Sequence, residues 1–176
     1  MRQPIRLVLF FVCLSPVLLL WMLSAQNPAP QDYKVPPAPE QPIPFSHKTH
    51  TTAGIKCTDC HTLRDENVAG IPKETTCLGC HMTIKKDSPA IQKLTEFAKS
   101  KQSVPWVRVY RVPDYVYFSH QAHHKDAGFS CDTCHGPVAE RDVIAKEKPI
   151  TMQACMSCHA KHQASNGCDF CHAGLQ

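Results

Sequence analysis

The sequence FSHKTHTTAGIKCTDCH at residues 45–61 recurs as FSHQAHHKDAGFSCDTCH at residues 118–135. Both copies contain Phe-x-His-x-x-His, then Ala-Gly, then Cys-x-x-Cys-His. One further Cys-x-x-Cys-His motif follows the first copy, and two follow the second. Such internal repetition predicts two related structural units. In chain order we call these sequences motif 1 (57–61), motif 2 (77–81), motif 3 (131–135), motif 4 (155–159) and motif 5 (168–172).

The five motifs use ten of the eleven cysteines of the chain. Cys-x-x-Cys-His is typical of c-type haem attachment, in which two thiols form thioethers with one porphyrin and the adjacent imidazole binds its iron. Zinc ribbons need four ligands and no histidine at that position, and iron–sulfur proteins use longer cysteine runs. The sequence therefore predicts five covalently bound haem c groups. The thioethers would come from Cys57, Cys60, Cys77, Cys80, Cys131, Cys134, Cys155, Cys158, Cys168 and Cys171, and the proximal ligands would be His61, His81, His135, His159 and His172.

Six histidines remain as candidates for the second axial position: His47, His50, His120, His123, His124 and His162. Five irons need five such ligands, so bis-histidine coordination throughout is predicted, with one histidine to spare. His123 and His124 compete for one role. The Phe-x-His-x-x-His spacing favours His123, whereas the distance to the following Gly and Cys favours His124. Iron held by two imidazoles has a low potential and no open position for a substrate.

Regular structure is predicted to be sparse, because haems rather than sheets would form the interior. We expect a mainly irregular fold with short α-helices and little or no sheet. The clearest helix is predicted over 89–101, where Ser88 and Pro89 read as N-cap and first helical residue. The segment 106–110 looks extended. We divide the chain into an N-terminal segment, a proline-rich linker, a two-haem module, a connector and a three-haem module, at 1–25, 26–44, 45–87, 88–117 and 118–176.

The N-terminus reads as a targeting segment. Arg2 and Arg6 precede an apolar or small-residue run at residues 7–23, and cleavage after Ala25 is one interpretation. A retained membrane anchor is the alternative that we favour, although Pro16 would kink it. Either interpretation places the rest of the chain in the periplasm, tethered to the inner membrane in one case and soluble in the other.

The Phe-x-His-x-x-His sequences upstream of Cys-x-x-Cys-His resemble those of the class III multihaem cytochromes c, the cytochrome c3 and c7 type, over residues 45–172. In that family the first histidine binds the haem of the following motif. The resemblance thus implies that His47 serves motif 1 and His120 serves motif 3, while the second histidine reaches another haem. The chain lacks the Cys-x4-Cys-His and Cys-x-x-Cys-His-His motifs of some members.

Residues 106–120 also resemble the pentahaem, membrane-anchored subunits of quinol-oxidising complexes. This implies electron transfer between a membrane partner and a periplasmic carrier protein. A multihaem reductase of a small nitrogen or sulfur compound is the alternative, and it would need an iron with an open face, often at a Cys-x-x-Cys-Lys motif that this chain lacks. Residues 85–111 hold seven basic and two acidic side chains, which could dock an acidic protein or pair with haem propionates. Export excludes nucleic acid as a partner.

Overall fold

The computed structural model describes residues 32–63 and 68–172. The chain divides into two compact units, Met1–Asp32 and Tyr33–Gln176. Every helix of the described residues belongs to the second unit. The predicted leader at 1–25, with its apolar run at 7–23, lies outside the described residues. Within the described ranges, no helix is long and apolar enough to cross a bilayer.

Short helices joined by irregular segments make up the described fold, as the sequence predicted. The only β-structure among the described residues is an isolated antiparallel bridge between Val116 and His172. In chain order the α-helices are α1 His47–Thr52, α2 Cys57–Cys60, α3 Glu74–His81, α4 Pro89–Lys99, α5 Cys131–His135, α6 Met152–Lys161 and α7 Cys168–Cys171. A π-helix (Gln121–Asp126) precedes α5, and a 3₁₀ helix (Val138–Glu140) follows it.

Helix α4 confirms the helix predicted in the connector. The Ser88 hydroxyl accepts a hydrogen bond from the backbone N–H of Ile91, and Pro89 is the first helical residue. This arrangement satisfies one of the N–H groups that a helix leaves unpaired at its start, while proline has none to satisfy. The helix ends at Lys99 rather than 101, and Lys101 then takes a left-handed backbone conformation with φ of 55°.

The apolar interior of the described residues is small. Four side chains are buried, Ile43, Ile91, Leu94 and Val104, where α4 packs on α3. Leu78, Phe97, Trp106 and the thiol-bearing Cys77 pack around them. So few buried apolar groups supply little of the driving force that a domain of this length needs, which agrees with a prosthetic group forming much of the interior.

The connector after α4 forms no strand. Residues 102–108 have no regular secondary structure, and side chains from elsewhere hold the backbone. The Gln41 amide brackets Val107, accepting from its N–H and donating to its carbonyl, both at 2.9 Å. Glu74 accepts from the N–H of Val104 at 2.7 Å. The connector is thereby fixed against the first part of the chain.

Candidate functional site

All five motifs lie on helical turns. Motifs 1 and 5 form α2 and α7 with histidine as the next residue, motif 3 forms α5, and motifs 2 and 4 lie within α3 and α6. Positions three apart in a helix share one face, so the two thiols of each motif point to the same side. None of the ten forms a disulfide. Each motif therefore presents two sulfurs and one imidazole together, as thioether attachment requires.

Four of the motif histidines face a second imidazole from a distant part of the chain. The His47 and His61 rings lie 6.3 Å apart, centre to centre, with planes only 6° apart. His120 and His135 lie 6.4 Å apart at 2°, so the two copies of the repeat share this geometry. His50 faces His81 at 6.1 Å and 67°, and His123 faces His159 at 6.0 Å and 22°.

These separations fit one metal held between two imidazoles. A metal–nitrogen bond to histidine is about 2 Å long, which places the ring centres on opposite sides of one metal about 6 Å apart. Aromatic pairs in direct contact also span about 4.5–7 Å, so the argument depends on the recurrence of nearly the same separation in four pairs that each contain a motif histidine. The spacing of all four pairs therefore matches that of axial ligands to a haem iron.

Hydrogen bonds fix which ring nitrogen is available in most of these histidines. The Nδ1–H groups of His50, His61, His81, His123, His124 and His159 donate to the backbone carbonyls of Ser46, Gly70, Ile84, Ser119, Phe129 and Ser165, respectively, at 2.7–2.9 Å. A carbonyl can only accept, so Nδ1 carries the proton and Nε2 keeps its lone pair. Bonds of this kind orient metal-ligating histidines and raise their basicity.

His47 differs, because its Nδ1 is buried with no hydrogen-bond partner. Burial in the first place, and then the nearby imidazoles of His61 and His50, lower the pKa of His47 to about 4. The pKa of His135 is also lowered, by burial and then by His120 and His61. Both rings are thus held neutral at physiological pH, the state in which imidazole binds iron.

A phenylalanine organises the histidines in each copy of the repeat. Phe45 meets His47 edge-on at 4.7 Å and stacks on His50 at 4.4 Å. Phe118 does the same to His120 and His123, at 4.9 and 4.6 Å. Gly54 and Gly128 then follow the helical turns with positive φ, 87° and 73°, a conformation that glycine adopts without steric cost. The repeat in sequence is therefore also a repeat in three dimensions.

The match between the two copies places His123, not His124, in the position equivalent to His50. Seven positions separate His50 from Cys57, whereas eight separate His123 from Cys131. The extra residue is absorbed by the π-helix, in which the N–H of Ala127 bonds to the carbonyl of Ala122, five residues back. A π-helical turn holds one residue more than an α-turn. His123 thus keeps its contact with Phe118, while the His124 ring is held at Phe129. The different residue spacing in the two copies was the sequence signal for this insertion.

His124, His162 and His172 are not brought into such pairs. Among the ring contacts of the described chain, His172 stacks on Tyr115 at 5.9 Å and 26°. His162 caps α6 and meets Phe129 edge-on at 4.8 Å. The Nδ1–H of His124 donates to the backbone carbonyl of Phe129. Phe129 therefore contacts both His124 and His162, the two candidate distal ligands that the four pairs leave over.

Several Cys-x-x-Cys-His motifs whose histidines each face a second imidazole are typical of the multihaem c-type cytochromes. Comparison with known proteins agrees. The class III cytochrome c family matches residues 23–104. The "Menaquinone reductase, multiheme cytochrome c subunit" of Nitratidesulfovibrio vulgaris strain Hildenborough is 34% identical over 161 residues, which span 76% of this chain and 77% of that protein.

The chain belongs to the class III cytochrome c family. Members of this family transfer electrons through covalently bound haem c outside the cytoplasm, and the resemblance found in the sequence is confirmed.

Proposed function

We propose that this protein is a pentahaem electron-transfer subunit, which works in the periplasm between a redox carrier protein and a quinone-active membrane complex. The observation that carries the proposal is the set of four imidazole pairs with centres 6.0–6.4 Å apart. Each pair combines a motif histidine with a histidine 14–36 positions earlier in the chain. Two imidazoles saturate an iron, so these sites suit electron transfer and leave no coordination position for a substrate.

The pairs give a ligand set for four haems. His47 would be the distal ligand for motif 1, His50 for motif 2, His120 for motif 3 and His123 for motif 4. Each bound haem supplies an iron that alternates between the ferric and ferrous states by one electron. Carbonyl hydrogen bonds orient five of the eight paired imidazoles, and Phe45 and Phe118 contact the four distal ones. Such preorganisation limits movement between the two oxidation states.

The haem count is a direct prediction. We expect a pyridine haemochrome assay on the purified holoprotein to give five haems per chain. Cys168→Ala combined with Cys171→Ala removes both thioether positions of motif 5 and should give four. The matched control is Cys13→Ala, because Cys13 lies outside every motif and its loss should leave five. A wild-type count below five would contradict the pentahaem proposal.

His124 is our proposed distal ligand for motif 5. Its Nδ1–H donates to a carbonyl at 2.8 Å, the same bond that orients five histidines of the four pairs, whereas His162 is exposed at the end of α6. We expect His124→Ala to convert one haem of five to the high-spin form in electron paramagnetic resonance (EPR) spectra. His162→Ala should leave all five low-spin. The opposite pattern would assign the role to His162.

The partner is proposed from the relative, which is named as a subunit of a menaquinone reductase. Interconversion of a quinol and its quinone releases or consumes two electrons and two protons. A one-electron path must therefore be used twice per quinone, and the protons are exchanged at the membrane partner. We propose that residues 7–23 tether the protein to the inner membrane, where it would meet such a partner, with a soluble form after cleavage near Ala25 as the alternative.

Membrane isolation tests this assignment. We expect the tagged full-length protein to fractionate with membranes and to bring down a quinone-active complex, and its haems should become reduced when a menaquinol analogue is added. A control wash with high salt should remove peripheral proteins and leave this one in place. Recovery of all the protein in the soluble periplasmic fraction, with no reduction by quinol, would overturn the membrane assignment.

A further inference from the structure

Each copy of the repeat joins two motifs through one helical turn. His47 and His50 lie one turn apart on α1 and face His61 of motif 1 and His81 of motif 2. His120 and His123 are likewise three residues apart and face motifs 3 and 4. Residues three apart lie on the same side of a helix. Motif 2 is thus a neighbour of motif 1, and motif 4 is a neighbour of motif 3.

The two copies meet through motif 1. Helix α1 packs on the 3₁₀ helix that directly follows motif 3. The N–H of Lys48 donates to the carbonyl of Arg141 at 3.0 Å, and the Thr51 hydroxyl donates to the carbonyl of Ala139 at 2.8 Å. The Ser46 hydroxyl donates to Asp142 at 2.6 Å. These bonds tie the distal ligands of the first copy to the chain beside motif 3.

The positions of the cysteines agree with this junction. Cys131 of motif 3 lies close enough to Cys57 of motif 1 for their side chains to form a hydrogen bond. Cys77 of motif 2 has Cys60 of motif 1 as its neighbouring cysteine.

Motif 5 adjoins motif 4. The Asn166 side chain, two residues before Cys168, donates to the carbonyl of Met156 within motif 4 at 3.1 Å. Cys155 of motif 4 has Cys171 of motif 5 and Cys134 of motif 3 as neighbouring cysteines. The connector also contacts motif 5, where the N–H of Tyr117 donates to the carbonyl of Cys171 at 2.7 Å.

We propose that the electron path through this protein is a single unbranched line in the order motif 2, motif 1, motif 3, motif 4, motif 5. This inference rests on the proposed pentahaem function and adds the connectivity. The order differs from the order of the motifs in the sequence, because the first copy joins the second through its first motif. The haems of motifs 2 and 5 are the two ends, where partner proteins exchange electrons. A reduced partner loses one electron at one end, and an oxidised partner gains one at the other.

Two matched variants distinguish this order from the sequence order. Methionine as an axial ligand raises a haem potential, so His47→Met or His50→Met should make the substituted haem the first to be reduced. Low-spin ferrous iron has no unpaired electrons, so its reduction removes its magnetic effect on neighbouring ferric haems. We expect two other haem signals in EPR or paramagnetic NMR spectra to shift for His47→Met, but only one for His50→Met. Any other pair of numbers of shifted signals would overturn the order. One shifted signal for His47→Met with two for His50→Met would support the sequence order instead.

A measurement on the wild-type holoprotein covers the case in which a variant fails to fold. In the fully reduced state all low-spin haems are diamagnetic, and nuclear Overhauser contacts between their substituents report adjacency. We expect contacts between the haems of motifs 1 and 3 and none between those of motifs 2 and 3. The opposite result would overturn the order. Failure of the proposed function is separable, because it would appear first as fewer than five haems or as high-spin signals in the wild type.

Discussion

Replacement of His47 by alanine is expected to leave the haem of motif 1 attached but to open one face of its iron. Cys57 and Cys60 keep both thioether positions, and His61 remains as proximal ligand. The lost imidazole faces His61 at 6.3 Å, and no other histidine of the described chain is placed to take over that position, since His50 faces His81. One haem of five should therefore become high-spin in EPR and visible spectra. Its potential should rise by on the order of 100 mV, a fraction of the range that axial ligation spans.

The neighbouring Lys48→Ala is the matched control. Lys48 lies on the same helix with its side chain exposed, and its structural contact is made by the backbone N–H, which alanine retains. This variant should keep five low-spin haems and wild-type potentials in a spectroelectrochemical titration. Unchanged spectra and potentials in His47→Ala would show that His47 is not a ligand, and the corresponding assignment of His120 by the repeat would then also lose its support.

The sequence predicted the local features of the fold well, because local features depend on nearby residues. Ser88 and Pro89 marked the first residue of α4. The scarcity of periodic segments predicted a fold of short helices with little or no sheet. The end of α4 was less well predicted, because residues 99–101 include no glycine or proline that would mark where the helix stops. The extended segment expected at 106–110 forms no strand, because no neighbouring strand of the described residues is available to pair with it.

The sequence indicated the residue types of the candidate site, and the family resemblance implied a pairing for His47 and His120 only. The count of histidines gives the number of possible ligands, whereas the partner of each is set by contacts between distant segments. His50 facing His81 depends on how α1 lies against α3, which no local pattern specifies. The choice between His123 and His124 had a readable signal, the extra residue before Cys131, but its interpretation required the π-helix. The division into a two-haem and a three-haem module stays a prediction.

A small cluster of buried apolar side chains lies beside motif 2 and is expected to stabilise this part of the chain. Leu94 is 4% exposed and packs with Ile43, Ile91 and Val104, and Cys77 and Leu78 of α3 lie against this group. Loss of a buried leucine side chain to alanine costs the transfer free energy of the removed atoms and leaves a cavity. Because only four apolar side chains are buried in the described residues, little else in this part of the chain can compensate.

Leu94→Ala is therefore expected to lower the free energy of unfolding of the holoprotein by about 2–5 kcal/mol. Urea denaturation followed by far-ultraviolet circular dichroism would measure this free energy. The motif 2 haem should also be held less firmly, because α3 loses its support from α4. Val107→Ala is the control, since Val107 is 47% exposed and its connector bonds to Gln41 use only the backbone. Its effect should stay within about 0.5 kcal/mol. Covalent attachment to Cys77 and Cys80 would fix α3 but not α4, so the cluster is expected to hold the two helices together. Equal, small effects of both variants would contradict this role of the cluster.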